Sequence, residues 1–480
     1  MIRALSLALL LGAGLAQGAE DPLADARAAL EGGHPAEAEA LLAPVLGEDG
    51  AAWGLYSRSL DEQGYPYAAL IAAAEALRRD PAVAPEHLHR ALELSGRVQD
   101  MGALGAVLAA NMGMEASAED RAEMAWLASR HAFEGQELGA AGALLVMVGP
   151  DSPHYPEAQM LRGVVLAQQG RYTDALAPLL VAYGLTREAD RELHDLVNLN
   201  LGRTYFGAGN YDRAAEHYLQ VRRSSPSWVE AQFEASWAFF RGEDMNGTLG
   251  LLMSHGSPFL EEVFLPEADL LRGYALFLLC KFPEASREIQ TFEVRYKPLK
   301  TQLDALVPAL TPAAGWELGL SAAAGKPTDA PPGLTRRYQR DARLQRAAHA
   351  VAQGERERAR LASQPEASPI LPLLDARMAA LRDGEGARVA GNLALARSDL
   401  QRMFQDVQAT RLDILRLEAE LYQRAADGGA LEQAARQGTG RRVSRHRDKL
   451  VWPYQGEYWA DEVGYYRVNT RPECPQALTR

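Results

Sequence analysis

The stretch that decides the fold is Leu201-Gly202-Arg203-Thr204-Tyr205-Phe206-Gly207-Ala208-Gly209-Asn210-Tyr211-Asp212-Arg213-Ala214-Ala215-Glu216-His217-Tyr218, followed by Pro226. It places a small residue at Gly202, an aromatic three positions on, a turn glycine at Gly209 and an alanine twelve positions after the first small residue. Slid along the chain, the small position falls at Ala26, Ser57, Ala91, Ala128, Gly163, Gly202, Ser236 and Gly273, at spacings of 31 to 39 residues. The residue twelve further on is alanine in seven of the eight copies, with Thr248 the exception. Four beyond it stand Leu42, Ala73, Val107, Leu144, Leu179, Tyr218, Leu252 and Ile289, all apolar. A fixed period of this length marks a stacked repeat and is tested before any local motif.

The pattern has a packing reason. Small residues on a first helix and alanine on a second let two antiparallel helices approach closely, and the larger apolar residue one turn later fills the space beside them. One such pair cannot bury its own face, so the copies stack. Turn sequences such as Gln169-Gly170-Arg171-Tyr172 and Ala208-Gly209-Asn210-Tyr211 fall between the helices. Over roughly residues 20–300 the chain resembles the tetratricopeptide repeat (TPR) family. Gly163 to Arg187, Gly202 to Pro226 and Gly273 to Pro298 carry the resemblance most clearly, and Trp53, Tyr56, Ser57, Leu60, Ala69 and Pro81 stand at the family's spacings. The resemblance implies an all-α, TPR-like helical-hairpin solenoid of about eight repeats that binds protein partners along a concave surface.

The composition agrees with a helical reading and excludes several functions. Of 480 residues, 47% are hydrophobic and only 7% aromatic, so an Ala- and Leu-rich helical core fits better than a β-rich one. Fifty basic against 63 acidic side chains leave a net charge of −13, the wrong sign for gripping a nucleic-acid backbone. Two cysteines, Cys280 and Cys474, exclude a cysteine-rich metal site. A disulfide between them is one reading and two free thiols the other. At the N-terminus, Met1-Ile2-Arg3 precedes an apolar run from Ala4 to Leu15 and a small-residue site at Ala16-Gln17-Gly18. This is the layout of a secretory signal over 1–18, too short for a transmembrane helix. An exported protein is expected, periplasmic in a host with two membranes, with no stable membrane insertion after cleavage.

Helical spacing selects the residues that would face the groove. In the last three copies these are Leu199, Arg203 and Phe206, then Phe233, Trp237 and Phe240, then Leu270, Tyr274 and Phe277, with Arg241 at the edge. Aromatic and arginine anchors are what protein interfaces favour. The same rings could instead pack between adjacent repeats, and the sequence leaves both readings open. No Lys/Asn pair marks a groove for a terminal carboxylate.

Beyond the solenoid (19–300), prolines 308, 312, 327, 331 and 332 mark 301–335 as a linker. A helical, coiled-coil hairpin is expected over 336–425. Its seam is Leu393, Leu400, Val407, Ile414 and Leu421, with Ala396, Met403, Thr410 and Leu417 at the offset positions. The seam is expected to close on the helix at 336–361 rather than on a second copy, with self-association the alternative. The tail, 426–480, carries a basic run (Arg441, Arg442, Arg445, Arg447, Lys449) and six aromatics (Trp452, Tyr454, Tyr458, Trp459, Tyr465, Tyr466). Either it folds onto the helical body or it contacts a partner. Its Trp452-Pro453-Tyr454 and Glu457 to Glu462 stretches resemble tails of TPR proteins of myxobacteria, some belonging to envelope-spanning gliding-motility assemblies.

No metalloprotease, hydrolase-elbow, P-loop or dinucleotide motif occurs. His87 and His89, two apart on a helix, point to different faces and make a poor metal pair. The expectation is therefore a non-catalytic scaffold, without cofactor or metal, that binds protein in an envelope complex. The alternative is an accessory subunit, or itself an unrecognised envelope enzyme, with its site in 301–480.

Overall fold

A computed structural model describes residues 21–82, 85–426 and 454–473. The expected signal 1–18, the basic run 441–449, Trp452 and Cys474 lie outside the described residues, as does the side chain of Leu421. The described chain is all-α. In chain order the helices are α1 (Pro22–Glu31), α2 (Pro35–Leu42), α3 (Gly50–Glu62), α4 (Pro66–Arg79), α5 (Pro85–Val98), α6 (Gly102–Ala110), α7 (Ala118–Glu134) and α8 (Leu138–Leu145). There follow α9 (Tyr155–Gln168), α10 (Tyr172–Ala189), α11 (Arg191–Gly207), α12 (Tyr211–Tyr218), α13 (Trp228–Arg241), α14 (Met245–His255), α15 (Pro266–Leu278) and α16 (Phe282–Leu306). The last four are α17 (Pro312–Ala323), α18 (Pro332–Thr335), α19 (Ala342–Leu361) and α20 (Leu371–Ala426).

Two compact units divide these helices, and the division passes through α19 and α20. Of the described residues, one holds those up to Val98 together with Gly113–Ala116 and Gln353–Asp375; the other holds Gln99–Met112, Ser117–Ala352 and those from Ala376 on. The helices α5 and α6, which carry Ala91 and Ala103, therefore fall in different units.

Within the hairpins the repeat positions do what packing requires. Ala26, Ala91, Ala128 and Ser236 are fully buried, and Ser57 nearly so. A Cβ at Gly202 would stand 2.5 Å from the Tyr218 ring, and one at Gly163 would overlap Leu179. In both copies the obstructing residue is the large apolar one sixteen positions on. The Ser57 hydroxyl donates to the Ala69 carbonyl at 2.7 Å, and the Thr248 hydroxyl to that of Ser236 at 3.3 Å. Each bond spans the twelve-residue step of the repeat.

In the first unit, residues 353–375 pack back on α2 to α4. Pro66 opens α4 and no side chain caps that end locally. The Glu357 carboxylate, 1% exposed, instead accepts from the backbone N–H groups of Tyr67 and Ala68 at 2.9 to 3.1 Å. It thus satisfies two of the donors that a helix start leaves free. The Tyr56 hydroxyl donates to the Glu366 carbonyl at 3.0 Å, and the Arg360 guanidinium lies over the Tyr65 ring.

In the second unit the expected linker is not one. Residues 301–306 complete α16, and α17 and α18 follow, with Trp316, Leu318 and Leu334 in the core. Pro312 and Pro332 occupy first helical positions, where the missing N–H costs nothing, so these prolines start helices rather than interrupt them. The helices of the expected hairpin over 336–425 are α19 and α20. Leu371 to Leu381 is the opening of one 56-residue helix, α20. Its seam residues Leu393, Leu400, Val407 and Ile414 are buried. They share a core with Leu344, Ala347 and Val351 of α19, but also with Ile289, Phe292, Tyr296 and Leu303 of α16. Phe404 meets Phe292 at 5.2 Å, Arg397 pairs with Asp304 at 2.7 Å and Arg411 with Glu293 at 2.5 Å. Along its second half, the seam closes on the last hairpin of the repeat.

The tail folds onto the same unit. Val463 and Tyr466 are buried, the Gly464 N–H donates to the Ser254 hydroxyl at 2.7 Å, and Asn246 exchanges two hydrogen bonds with the Thr470 backbone. The Glu473 N–H donates to the Leu279 carbonyl at 2.9 Å, and Lys281 pairs with Glu473. Cys280, in the turn between α15 and α16, is disulfide-bonded. Cys474 is the one other cysteine of the sequence.

Candidate functional site

The residues selected for the groove come from α11, α13 and α15, the first helices of three successive hairpins. Asp190 starts α11 by accepting from the N–H groups of Glu192 and Leu193. Three turns beyond, the small Gly202 admits Tyr218, and its neighbour Arg203 projects from the helix with 42% of its side chain exposed. Arg203 donates to Glu234 from Nε, at 3.0 Å to each carboxylate oxygen, and from Nη2 at 2.5 Å, and to Glu230 at 2.8 Å, joining α11 to α13. The Tyr218 hydroxyl bonds the same Glu234 carboxylate; burial and that carboxylate push its pKa up. Burial works against the Arg203 charge, but the two carboxylates outweigh it and raise the guanidinium's pKa. A charged array of this kind, half in water, holds geometry more than it adds stability.

The aromatic residues divide by position. Phe206 meets Tyr211 at 5.4 Å, and Arg241, exposed, donates to the Tyr211 hydroxyl at 2.9 Å while lying over its ring. Phe233 is buried, edge-on to His255 at 6.0 Å. Trp237 and Phe240 are half-buried and meet edge to face at 5.4 Å, packed with Leu252, Ala268 and Leu271. Phe233 thus packs between α13, α14 and α15, while Trp237 and Phe240 pack against the same residues and keep part of each ring exposed. Leu270, Tyr274 and Phe277 join the core that holds α20. The Tyr274 hydroxyl shares a hydrogen bond with Thr410 of α20, and burial next to Asp406 raises its pKa. Glu267 accepts from the Trp237 indole; burial raises its pKa, with Arg402 opposing and Asp399 reinforcing the rise.

The face that a partner was expected to fill is therefore taken, at α15, by the chain's own helix. On α11 and α13 it presents Arg203, Glu230 and Glu234. The three acidic positions, Glu230, Glu234 and Glu267, were not singled out from the sequence. Their signal was available: Glu234 lies 31 residues after Arg203, about one repeat away.

Among the described residues, no group of three or more His, Cys, Asp or Glu could hold a metal ion. His87 is buried against Gly54 while His89 is exposed beside Glu93. No described helix is long and apolar enough to cross a membrane.

The hairpins, their small-residue contacts and their shared register define a TPR-like, all-α repeat protein. Residues 143–190 and 199–246 match the family model of the tetratricopeptide repeat, so α9 to α13 carry such repeats. No curated protein matches the chain. Among solved structures, the chain is similar to the apo form of RapI at 12% identity, covering 76% of this chain and 96% of that one with a TM-score of 0.33. It is similar to Naa15/Naa10 bound to HypK-THB at 13% identity, covering 85% and 63%, with a TM-score of 0.36. A third likeness is to the P58(IPK) TPR domain at 13% identity, covering 74% and 97%, with a TM-score of 0.19.

Proposed function

We propose that the chain is a non-catalytic protein-binding scaffold that acts in an extracytoplasmic, cell-envelope complex, with its partner engaging the first-helix face of α11 and α13. The observation that carries this reading is the exposed Arg203–Glu230–Glu234 array beside the half-buried Phe206 and Trp237, on a segment that matches the repeat. Partly exposed aromatic rings next to an arginine held in place by carboxylates supply the anchors that protein interfaces use. Folds of this kind bind protein by shape along a preformed surface, without chemistry at a pocket. The envelope setting rests on the signal-like residues 1–18 and on the disulfide at Cys280, which suits an oxidising compartment.

A photo-crosslinking side chain placed at Glu230 in the producing cell tests the binding face. It should capture a protein that the same probe at Val294, exposed on α16, does not. Replacing Arg203 with Glu and Trp237 with Ala should abolish that capture while leaving helicity unchanged. Equal capture at both positions, or none at Glu230, overturns the reading. For the envelope setting, the exported protein should begin at Ala19; protein that keeps residues 1–18 and stays in the cytosol counts against it.

A further inference from the structure

The tail presents a second surface, separate from the first-helix face. Most of its backbone contacts fix it to α13, α14 and the α15–α16 turn. Arg223, stacked over Trp228, donates to the carbonyls of Ala460 and Asp461, and Gly464, Thr470 and Glu473 are tied as described above. Tyr454, Tyr458 and Tyr466 form a trio of edge-to-face rings 5.3 to 6.0 Å apart. On this fixed base, Trp459 is 59% and Tyr465 63% exposed, and Tyr454 44%. The Glu462 N–H donates to the Trp459 carbonyl at 3.0 Å and the Tyr465 N–H to that of Glu462 at 2.8 Å. Two consecutive turns therefore set an aromatic, a carboxylate and an aromatic one turn apart. Glu457, Asp461 and Glu462 are exposed, and none has an ion-pair partner among the described residues.

Large exposed rings cost solvation and packing unless something uses them, and here they stand on a segment held rigid from beneath. A tail that only covered the hairpins would turn its rings inward, as Tyr466 does. Unpaired carboxylates between exposed rings complement one chemistry in particular. A guanidinium or ammonium gains from the ring faces and from the negative charge together. An anionic surface would be repelled, and a purely apolar partner would leave the carboxylates desolvated. We infer that the ridge Trp459–Glu462–Tyr465 is a docking site for an arginine- or lysine-rich segment of a partner protein. Because the ridge is already ordered, little is lost to fixing it on binding.

The full-length protein is titrated with a fluorescent hexa-arginine peptide, with hexa-citrulline as the uncharged control. Binding should depend on salt, and the citrulline peptide should not bind. Since the whole chain is acidic, the decisive variant leaves charge alone. Replacing Trp459 and Tyr465 with Ala should weaken hexa-arginine binding about tenfold, while replacing both with Phe should keep most of it. Glu462→Gln with Asp461→Asn should weaken it comparably. All variants should keep the wild-type melting temperature, because the rings and carboxylates are exposed. Unchanged affinity in the double-Ala variant, or no binding of hexa-arginine, overturns the assignment. A gain in affinity when Arg441, Arg442, Arg445 and Arg447 become Gln would show that the chain's own basic run fills the ridge, and also overturns it. Capture at Glu230 is independent of these residues, so the two readings fail separately.

Discussion

One residue per hairpin turn shows how closely local geometry follows the repeat. Gly33, Gly64, Gly170 and Gly209 hold positive φ, each seven positions after the small residue of its copy. Among the described residues, the non-glycine residues with positive φ are Gln99, Gln136, Glu243 and Cys280, at the same or the next position in the other copies. All eight turns therefore use a left-handed residue, and half do so against the preference of their side chain. The glycines were legible as turn signals; the other four were not, because nothing in glutamine, glutamate or cysteine announces the conformation. Glu243→Gly should stabilise the fold by about 1 kcal/mol and Gly209→Ala destabilise it by a similar amount, read from urea midpoints. A second residue-scale prediction concerns His255. Burial beside Phe233 lowers its pKa to about 4 from 6.5. The neutral ring is the folded form, so its contribution is intact above pH about 6.5 and is lost as pH falls toward 4, up to about 3 kcal/mol. His255→Leu should flatten that part of the stability–pH curve; an unchanged acid limb would contradict it.

At the scale of the helix, a heptad pattern says which face is buried and not what buries it. Leu393, Leu400, Val407 and Ile414 were readable as a seam. Its packing on α19 was readable too; its packing on α16 was not, because α16 offers Ile289, Phe292, Tyr296 and Leu303 on a face that the repeat template explains only up to Ile289. The prolines misled for a related reason: composition marks a boundary, but only position relative to a helix start says whether structure stops or begins there. Gly315 and Gly386 show how closely α17 and α20 then approach, since a Cβ on either would overlap the other helix's backbone. If the seam closes on α16, Phe292→Ala and Phe404→Ala should each cost about 3 kcal/mol. Their double-mutant cycle should show a coupling of about 1 kcal/mol. Strict additivity would mean that the two helices do not share this contact.

Across the whole molecule, both units are completed by chain that comes late in the sequence. Residues 353–375 return to the first unit, where Glu357 caps α4. The tail returns to the second, where Cys280 is disulfide-bonded in a left-handed turn. A repeat pattern is local by construction, so neither closure could be read from it; the cysteine pair and the aromatic-rich tail were the sequence-level hints of the second. The two closures predict separable effects. Glu357→Ala leaves two buried N–H groups unpaired and should cost about 2 kcal/mol, with hydrogen exchange rising in peptides from α3 and α4. Cys280→Ser removes a cross-link that closes a long loop and should cost about 3 kcal/mol. Exchange should then rise in 454–473 and in the hairpins it covers, α13 to α16, while α3 and α4 stay protected. Reduction of the wild-type protein should reproduce that second pattern. A Cys280→Ser protein whose tail peptides remain as protected as in the wild type would show that the hydrogen bonds to Ser254, Asn246 and Leu279 hold the tail without the covalent link.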